Sequence, residues 1–381
     1  MSFALLVPLA IWIYLIAGRG MFWRTRERDD RDLPATAPAT WPSITAVVPA
    51  RDEADVIART IGSLLNQDYS GPFRIVLVDD QSTDGTAVAA LAAAHALGGT
   101  GRLQIVTGAP RPSGWTGKLW AMKQGVDRAS VDTPPDYILF SDADIAHATD
   151  NVRRLVSRAT DRRLVLVSLM AKLYCTTFSE KLLIPAFVFF FDMLFPFAWA
   201  NDPANRTAAA AGGCMLARYD ALVAAGGIET IRREIIDDCA LARALKRQGP
   251  IWLGLTERAV SIRPYGGMDD IRRMIARSAY AQLGYSPLAL LGTVFGMLLV
   301  YAAAPFAALF ATGAARLEGV LVWLVMALAF QPMLRFYRLS PLWGVALPVI
   351  GALYTAFTFD SALQFWRGKG GMWKGRAQAM A

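Results

Sequence analysis

Short apolar runs alternate with longer stretches whose apolar residues recur at helical spacing. Ile44-Thr45-Ala46-Val47-Val48 reads as a strand and Ala54–Leu65 as a helix. Arg74–Val78 is a strand, and Thr86–Leu97 an Ala-rich helix. Leu103–Val106, a short strand, precedes a helix over Lys118–Ala129; Tyr137–Phe140 precedes a helix over Asn151–Ala159; Leu164–Met170 is a further strand. Strands separated by helical patterns of this length predict βαβ units, an α/β fold and a mostly parallel central sheet.

Both flanks of this region are apolar. Phe3–Ala17 is short for a membrane span and resembles a signal-peptide core in length. The lack of a clean small-residue cleavage site, Trp12 and Tyr14 within the run, and the arginines after it favour an uncleaved anchor. Those arginines place the following chain in the cytoplasm by the positive-inside rule. Asp29–Pro42, rich in Pro, Ala and Thr, reads as a linker. After Pro287 come Leu288–Ala311, Val320–Phe330 and Leu342–Phe359, read as membrane helices, the middle one short unless it extends toward Leu339. Three crossings would put the basic tail Arg367–Arg376 outside, against the same rule. A re-entrant segment would remove the conflict, and Pro341, Pro348 and Asp360 mark the last as the candidate, but the sequence alone leaves the number of crossings open. Phe-rich Leu182–Ala200 contains Pro185, Asp192 and Pro196, and reads as an interfacial helix in the headgroup region, with a buried core helix as the alternative. The expected boundaries are an anchor over 1–20, a linker over 21–43, a catalytic domain over 44–284 with the apolar helix at 180–200, C-terminal membrane helices over 285–366 and a basic tail over 367–381.

Composition agrees with a membrane protein. The 381 residues are 54% hydrophobic and only 18% charged, more apolar than a soluble enzyme requires. The formal charge is +8, and much of the excess lies beside the apolar ends: Arg19, Arg24, Arg26, Arg28 and Arg31 after the first run, and Arg367, Lys369, Lys374 and Arg376 after the last. That placement suits anionic lipid headgroups. No basic run is interleaved with stacking aromatics, so nucleic acid is not an expected partner. Cys175, Cys214 and Cys239 have no metal-ligand spacing, and their odd number gives no disulfide framework. With only two histidines, a His-rich zinc site is excluded.

Candidate chemistry lies at the strand ends. Asp142 and Asp144, spaced i, i+2 after Tyr137–Phe140, place two carboxylates on one side of extended chain, where they can hold a hard divalent cation with positions open to water or phosphate oxygens. Asp79 and Asp80 end another apolar strand, and Asp52 and Glu53 follow the first. Acidic strand ends describe a cleft at the carboxyl edge of a parallel sheet, where open α/β sheets bind nucleotides. Asp84 is a helix N-cap. Lys118, after Trp115-Thr116-Gly117, opens a helix where a phosphate can sit, or is a solvated surface lysine. Asp237 and Asp238 open a later helix, where acids favour the dipole or one serves as general base. Gly212-Gly213 permits close backbone approach to a ligand. Arg272, Arg273 and Arg277 lie on a helix near the membrane segments, with Arg273 and Arg277 on one face, suited to a leaving diphosphate or to lipid headgroups.

As an ordered set, Val48-Pro49-Ala50-Arg51-Asp52-Glu53, Val78 to Thr86, Gly117-Lys118, Asp142-Ala143-Asp144, Gly212-Gly213 and Asp237 to Leu241 resemble glycosyltransferase family 2, over about Ile44–Gly284. The resemblance implies a GT-A nucleotide-sugar-binding fold in a membrane-bound inverting enzyme. It implies that Asp52, Asp79 or Asp80 contacts the nucleoside, with Pro49, Arg51, Glu53, Lys118, Arg273 and Arg277 in the same nucleotide-sugar site. Asp142 then approaches the ribose or the metal, Asp144 binds Mg2+ or Mn2+ bridging the diphosphate, and Asp238 is the base. Asp237, with Gly212 and Gly213 in the acceptor or sugar loop, stands where the family usually has Glu. Ile271 to Arg277 lacks the Gln and Trp of the Gln-x-x-Arg-Trp motif, which argues against a processive polysaccharide synthase. Trp115 to Ala121, the Phe-rich segment and Ser261 to Gly267 are similar to the hopene-associated glycosyltransferases, which implies a hopanoid or other polyisoprenoid-derived acceptor.

The expectation is therefore a multi-pass protein of the cell inner membrane with a cytoplasmic catalytic domain, transferring a sugar from a nucleotide-diphosphate donor such as a UDP-sugar to a membrane lipid. A non-catalytic membrane scaffold needs neither Asp144 nor Asp238. A nucleotidyltransferase would need a Gly-rich basic loop after the first strand, which is missing.

Overall fold

The computed structural model describes residues 3–31, 38–373 and 376–377; residues 32–37 of the expected linker and Lys374 of the basic tail lie outside them. The chain divides into two compact units, each discontinuous in sequence. One comprises Glu27–Tyr174, Trp199–Arg263 and Met372–Ala381, and the other Met1–Arg26, Cys175–Ala198 and Pro264–Gly371. Within the range 44–284, Cys175–Ala198 and Pro264–Gly284 fall in the second unit.

The first unit is built on a sheet. Its strands are β1 (Ile44–Ala50), β2 (Phe73–Asp79), β3 (Leu103–Thr107), β4 (Tyr137–Ser141), β5 (Ile145–His147), β6 (Leu166–Lys172), β7 (Cys214–Arg218) and β8 (Ile251–Ser261), in the order β3-β2-β1-β4-β7-β6-β8-β5. β3-β2-β1-β4 and β6-β8 pair in parallel, whereas β7 and β5 run antiparallel to their neighbours. All seven residues of β1 are buried, as expected for a strand covered on both faces. Ala46 and Val48 face a core with Ile57, Ile61, Leu64, Leu155 and Val156; Val47 faces the opposite core with Leu119, Met122, Leu241 and Leu245. The helix Gly117–Ser130 lies tightly on β1, because a Cβ at Gly125 would stand 2.4 Å from Val47 Cγ1.

The register sets the functional edge. Ala50 pairs with Asp79, and Val47 with Phe140, so the parallel strands β2, β1 and β4 end on one side of the sheet. Antiparallel β7 begins there, Cys214 opposite Ser141, which brings Gly212-Gly213 to the same edge. Residues 27–31 are not free linker. Asp29 is buried; its N–H donates to Leu255 O at 3.0 Å, and its carboxylate accepts from Thr256 Oγ1 at 2.7 Å. Arg28 pairs with Asp30 at 2.6 Å rather than standing free for lipid.

The second unit is helical. Pro287–Phe310, Gly313–Phe336 and Pro341–Trp366 are long and apolar enough to cross a membrane. The middle one gains its length at the N-terminal side, back to Gly313, and not only toward Leu339. It lies against the first helix: a Cβ at Gly319 would stand 2.6 Å from Ala308 N and 2.7 Å from Ala304 O. Trp323 Nε1 donates to Val345 O at 3.1 Å, and Tyr285 stacks on Phe365 with ring centroids 4.4 Å apart. The N-terminal apolar helix is shorter than a span; Trp12 is buried and donates to Val300 O at 3.0 Å. Arg19 caps carbonyls of Met193 and Leu194, both at 2.9 Å, instead of facing outward. The Phe-rich segment forms the helix Phe178–Leu194, opened by a capping box between Thr177 and Glu180. Leu183, Ile184, Val188 and Phe189 are buried, and Tyr354 Oη donates to Leu183 O at 2.8 Å. Much of its surface thus packs into its own unit, while Phe178 and Leu194 at its ends stay exposed. Asp360, inside an apolar helix, is paired with Arg272.

Candidate active site

Lys118 is the hub of the site. It enters on the first turn of Gly117–Ser130, whose start is capped by Thr116 Oγ1 accepting from Leu119 N at 3.3 Å. Its Nζ lies 2.9 Å from Asp142 Oδ1 and 3.2 Å from Asp237 Oδ2. Burial works against its charge, but Asp142, Asp237 and Asp238 outweigh that and hold the ammonium protonated. Acids from the β4 end and from the helix Asp237–Lys246 therefore share one cation.

Asp238 is fixed by main chain. Oδ2 accepts from Gly212 N at 3.0 Å and Oδ1 from Cys239 N at 2.7 Å. Burial, then the charge of Asp237, pushes its carboxyl above the ordinary range, with Lys118 pulling the other way. A Cβ at Gly212 would stand 3.2 Å from Lys118 Nζ, so the absence of a side chain leaves the lysine its place. Gly213 O accepts from Asp142 N at 3.4 Å, which ties the Gly-Gly segment to the β4 end.

Asp144 faces a second cation. Arg263 Nε lies 3.6 Å from Asp144 Oδ2, and the same guanidinium contacts Glu53 and reaches Asp55 at 3.3 Å. Burial, then Asp142, pushes the Asp144 carboxyl up to about 6. The loops after β1 and β2 interlock beside this arginine. Arg51 donates to Asp80 O at 2.5 Å, Asp52 Oδ1 accepts from Thr83 N at 2.8 Å, Asp52 N donates to Ser82 Oγ at 2.9 Å, and Asp79 Oδ1 accepts from Ser82 N at 3.0 Å. Asp52 has φ +49°, a strained conformation outside glycine, held by these bonds. Asp84 does more than cap: it accepts from Thr86 N at 3.0 Å and also from Ala54 N at 2.9 Å. Pro49 pairs with Val78 within the sheet.

Residues Arg51, Asp52, Glu53, Asp79, Asp80, Lys118, Asp142, Asp144, Gly212, Gly213, Asp237 and Asp238 thus belong to one unit. Arg273 and Arg277 belong to the helical unit, where Arg273 is paired with Asp269 and Asp270 of its own helix. Arg263 lies in the Ser261 to Gly267 stretch that carries the subgroup resemblance, but the sequence reading gave it no role in the site, because its partners Glu53, Asp55 and Asp144 are far away in the chain.

Among the described residues, no group of three or more His, Cys, Asp or Glu side chains is placed to hold a metal. Asp142 and Asp144 nonetheless fit a hard cation that takes its remaining ligands from a diphosphate. They are oxygen donors, and the burial of Asp144, with the charge of Asp142 beside it, disfavours its ionised form, a cost that a divalent charge would relieve.

Residues 45–223 match the family model described as Glycosyl transferase family 2. The chain carries a family 2 glycosyltransferase domain. The matched range includes the β1, β2 and β4 loops, Lys118 and Gly212, while Asp237 and Asp238 follow it. Among solved structures the chain is similar to the mannosyltransferase PcManGT from Pyrobaculum calidifontis, in complex with GDP-Man and Mn2+, at 19% identity and TM-score 0.56, over 94% of this chain and 99% of that one. Glucosyl-3-phosphoglycerate synthase from Mycobacterium tuberculosis, in complex with Mg2+ and uridine-diphosphate, is 19% identical over 64% of this chain and 79% of that one, with TM-score 0.42. No curated protein matches the chain. The fold of this glycosyltransferase is of the GT-A type, α/β with a mostly parallel sheet.

Proposed function

We propose that this glycosyltransferase is an inverting enzyme that moves a sugar from a nucleotide-diphosphate donor, a UDP-sugar, to a hydroxyl of a membrane lipid. The observation that carries this reading is the joining of Asp142 and Asp237 through Lys118, next to Asp238 on its Gly212 support. Asp238 is the base: it takes the acceptor hydroxyl proton as that oxygen attacks the anomeric carbon, and the bond from that carbon to the diphosphate oxygen breaks with its electron pair leaving on the diphosphate. The raised carboxyl suits a base that must accept a proton near neutral pH. Lys118 and Arg263 place positive charge beside the departing diphosphate. Asp144 and Asp142 would hold Mg2+ or Mn2+, which when bound neutralises the diphosphate charge. The complex of PcManGT with GDP-Man and Mn2+ supports a nucleotide sugar and such a cation as its ligands. Arg51, Asp52, Glu53, Asp79 and Asp80 form the nucleoside side of the site. A hopanoid or other polyisoprenoid-derived acceptor is favoured by the resemblance of Trp115 to Ala121 and Ser261 to Gly267 to the hopene-associated group.

The helical unit would seat the enzyme in the cell inner membrane, with the catalytic domain cytoplasmic. Tyr285, just before the first long helix, stacks on Phe365 at the end of the last. The helix array then begins and ends at one membrane face, which requires an even number of crossings. Pro287–Phe310 and Gly313–Phe336 cross and return, and Pro341–Trp366 enters and leaves by the same face. Arg367 and Lys369, which follow Phe365, would then emerge at that face, in keeping with the positive-inside rule. A donor screen in native lipid extract, with mass spectrometry of the products, tests the function. A glycolipid formed from one UDP-sugar supports it, and no transfer from any nucleotide sugar contradicts it.

A further inference from the structure

The aspartate segment is held by its backbone from several sides. Asp142 O accepts from Ile145 N at 3.2 Å, Ala143 O from Thr60 Oγ1 at 2.7 Å, and Asp144 O from Ile262 N at 2.9 Å. Thr60 is fully buried on the helix Ile57–Leu65, between the core residues Ile57, Ile61 and Leu64. A β-branched hydroxyl residue is a poor choice for a buried helix interior unless its hydroxyl has a task, and such a local inconsistency points to function. Within a helix a threonine hydroxyl ordinarily bonds back to its own preceding turn; this one reaches across to the aspartate turn. Ser63, on the same helix, accepts from His147 N at 3.0 Å, and Gln67, just beyond it, donates to Ala148 O at 2.9 Å. The buried His147 ring then joins the two strand ends. Its Nε2 lies 2.8 Å from Ser141 Oγ, and its Nδ1 lies 2.9 Å from Asn151 Nδ2.

We propose that the helix Ile57–Leu65, together with His147, is a splint that sets the aim of the Asp142 and Asp144 carboxylates, with Thr60, Ser63 and Ser141 as positioning residues for cation-dependent donor binding. This rests on the reading of Asp142 and Asp144 as the cation carboxylates. With the carbonyls anchored, the two carboxylates keep only side-chain rotation, so the entropy of ordering them is removed before the donor arrives. Partners of this kind, one shell behind the ligands, typically govern metal affinity about 10- to 100-fold.

The test is calorimetric titration of the full-length protein with UDP, with and without Mn2+. The readout is the ratio of the two affinities, alongside Tm. Thr60→Val keeps the shape and removes the hydroxyl; it is expected to cut the Mn2+-dependent gain about tenfold and leave Mn2+-free UDP binding unchanged. Thr60→Ser is expected to restore the gain. Ser63→Ala, at a less buried position, gives a second reading should Thr60→Val fail to fold. A splint requires loss of the gain in Ser63→Ala as well. A full gain in the folded variants, with only Tm lowered, overturns the splint and leaves the cation reading standing. A wild-type protein with no Mn2+-dependent gain overturns both.

Discussion

Gly212 donates its N–H to the Asp238 carboxylate at 3.0 Å, and a side chain at Gly212 would press on Lys118 Nζ at 3.2 Å. A glycine and an acid well apart in sequence thus form one device, in which the main chain orients the carboxylate proposed as the base and leaves room for Lys118 beside it. Gly212→Ala is expected to lower kcat about tenfold or more while changing donor affinity little, since a misplaced base costs rate before it costs binding. Steady-state kinetics with calorimetric donor binding checks it. A normal kcat would remove this glycine from the mechanism.

Lys118 carries the charge balance of the site. Lys118→Met leaves Asp142 and Asp237 facing each other without their shared ammonium. Charge-assisted bonds of this kind are worth about 1.5–3 kcal/mol, so donor affinity is expected to fall at least about tenfold. Nucleotide titration measures it, and unchanged affinity would return Lys118 to a purely structural part.

Much of this unit was legible in the sequence, and the reason is local. β1, β2 and β4 are apolar runs that end in acids, so pattern and chemistry coincide at Asp79 and Asp142. β5 escaped the reading because it has three residues, and β7 and β8 because their pairing depends on partners far along the chain. The same distance hid the placing of Phe178–Leu194 in the helical unit and the link from Arg263 to Glu53 and Asp144. Hydropathy marks the three long helices but is blind to the stacking of Tyr285 on Phe365, on which the proposed parity rests.

Asp144→Ala is expected to abolish the gain in donor affinity that Mn2+ brings, with Mn2+-free binding retained. Parallel titrations check this. Equal Mn2+ dependence in wild type and variant would count against Asp144 as a cation ligand.

Transfer should weaken in mild acid. Burial, then Asp237, raises the Asp238 carboxyl, so it becomes protonated at a pH where an ordinary carboxylate near 3.9 stays ionised. A protonated base cannot accept the acceptor proton, and kcat therefore falls as pH falls, on a limb above the ordinary carboxylate range. At saturating Mn2+ the cation keeps Asp144 ionised, so the limb reports Asp238. A rate that stays flat down to about pH 4.5, within the ordinary carboxylate range, would contradict the assignment.

The membrane arrangement predicts which cysteines react. A cysteine at Lys369 and one at Tyr285 should label with an impermeant maleimide from the same face, and one at Thr312, between the first two long helices, from the other. Lys369→Cys labelling together with Thr312→Cys would rule out the re-entrant last segment.

Replacing Asp238 by Asn is the most direct measurement, because it removes the proton acceptor and preserves the shape of the side chain. Sugar transfer by Asp238→Asn should fall by at least about a hundredfold while UDP binding with Mn2+ stays within twofold of wild type. A variant that transfers at the wild-type rate, or one that loses nucleotide binding along with transfer, would contradict Asp238 as the base.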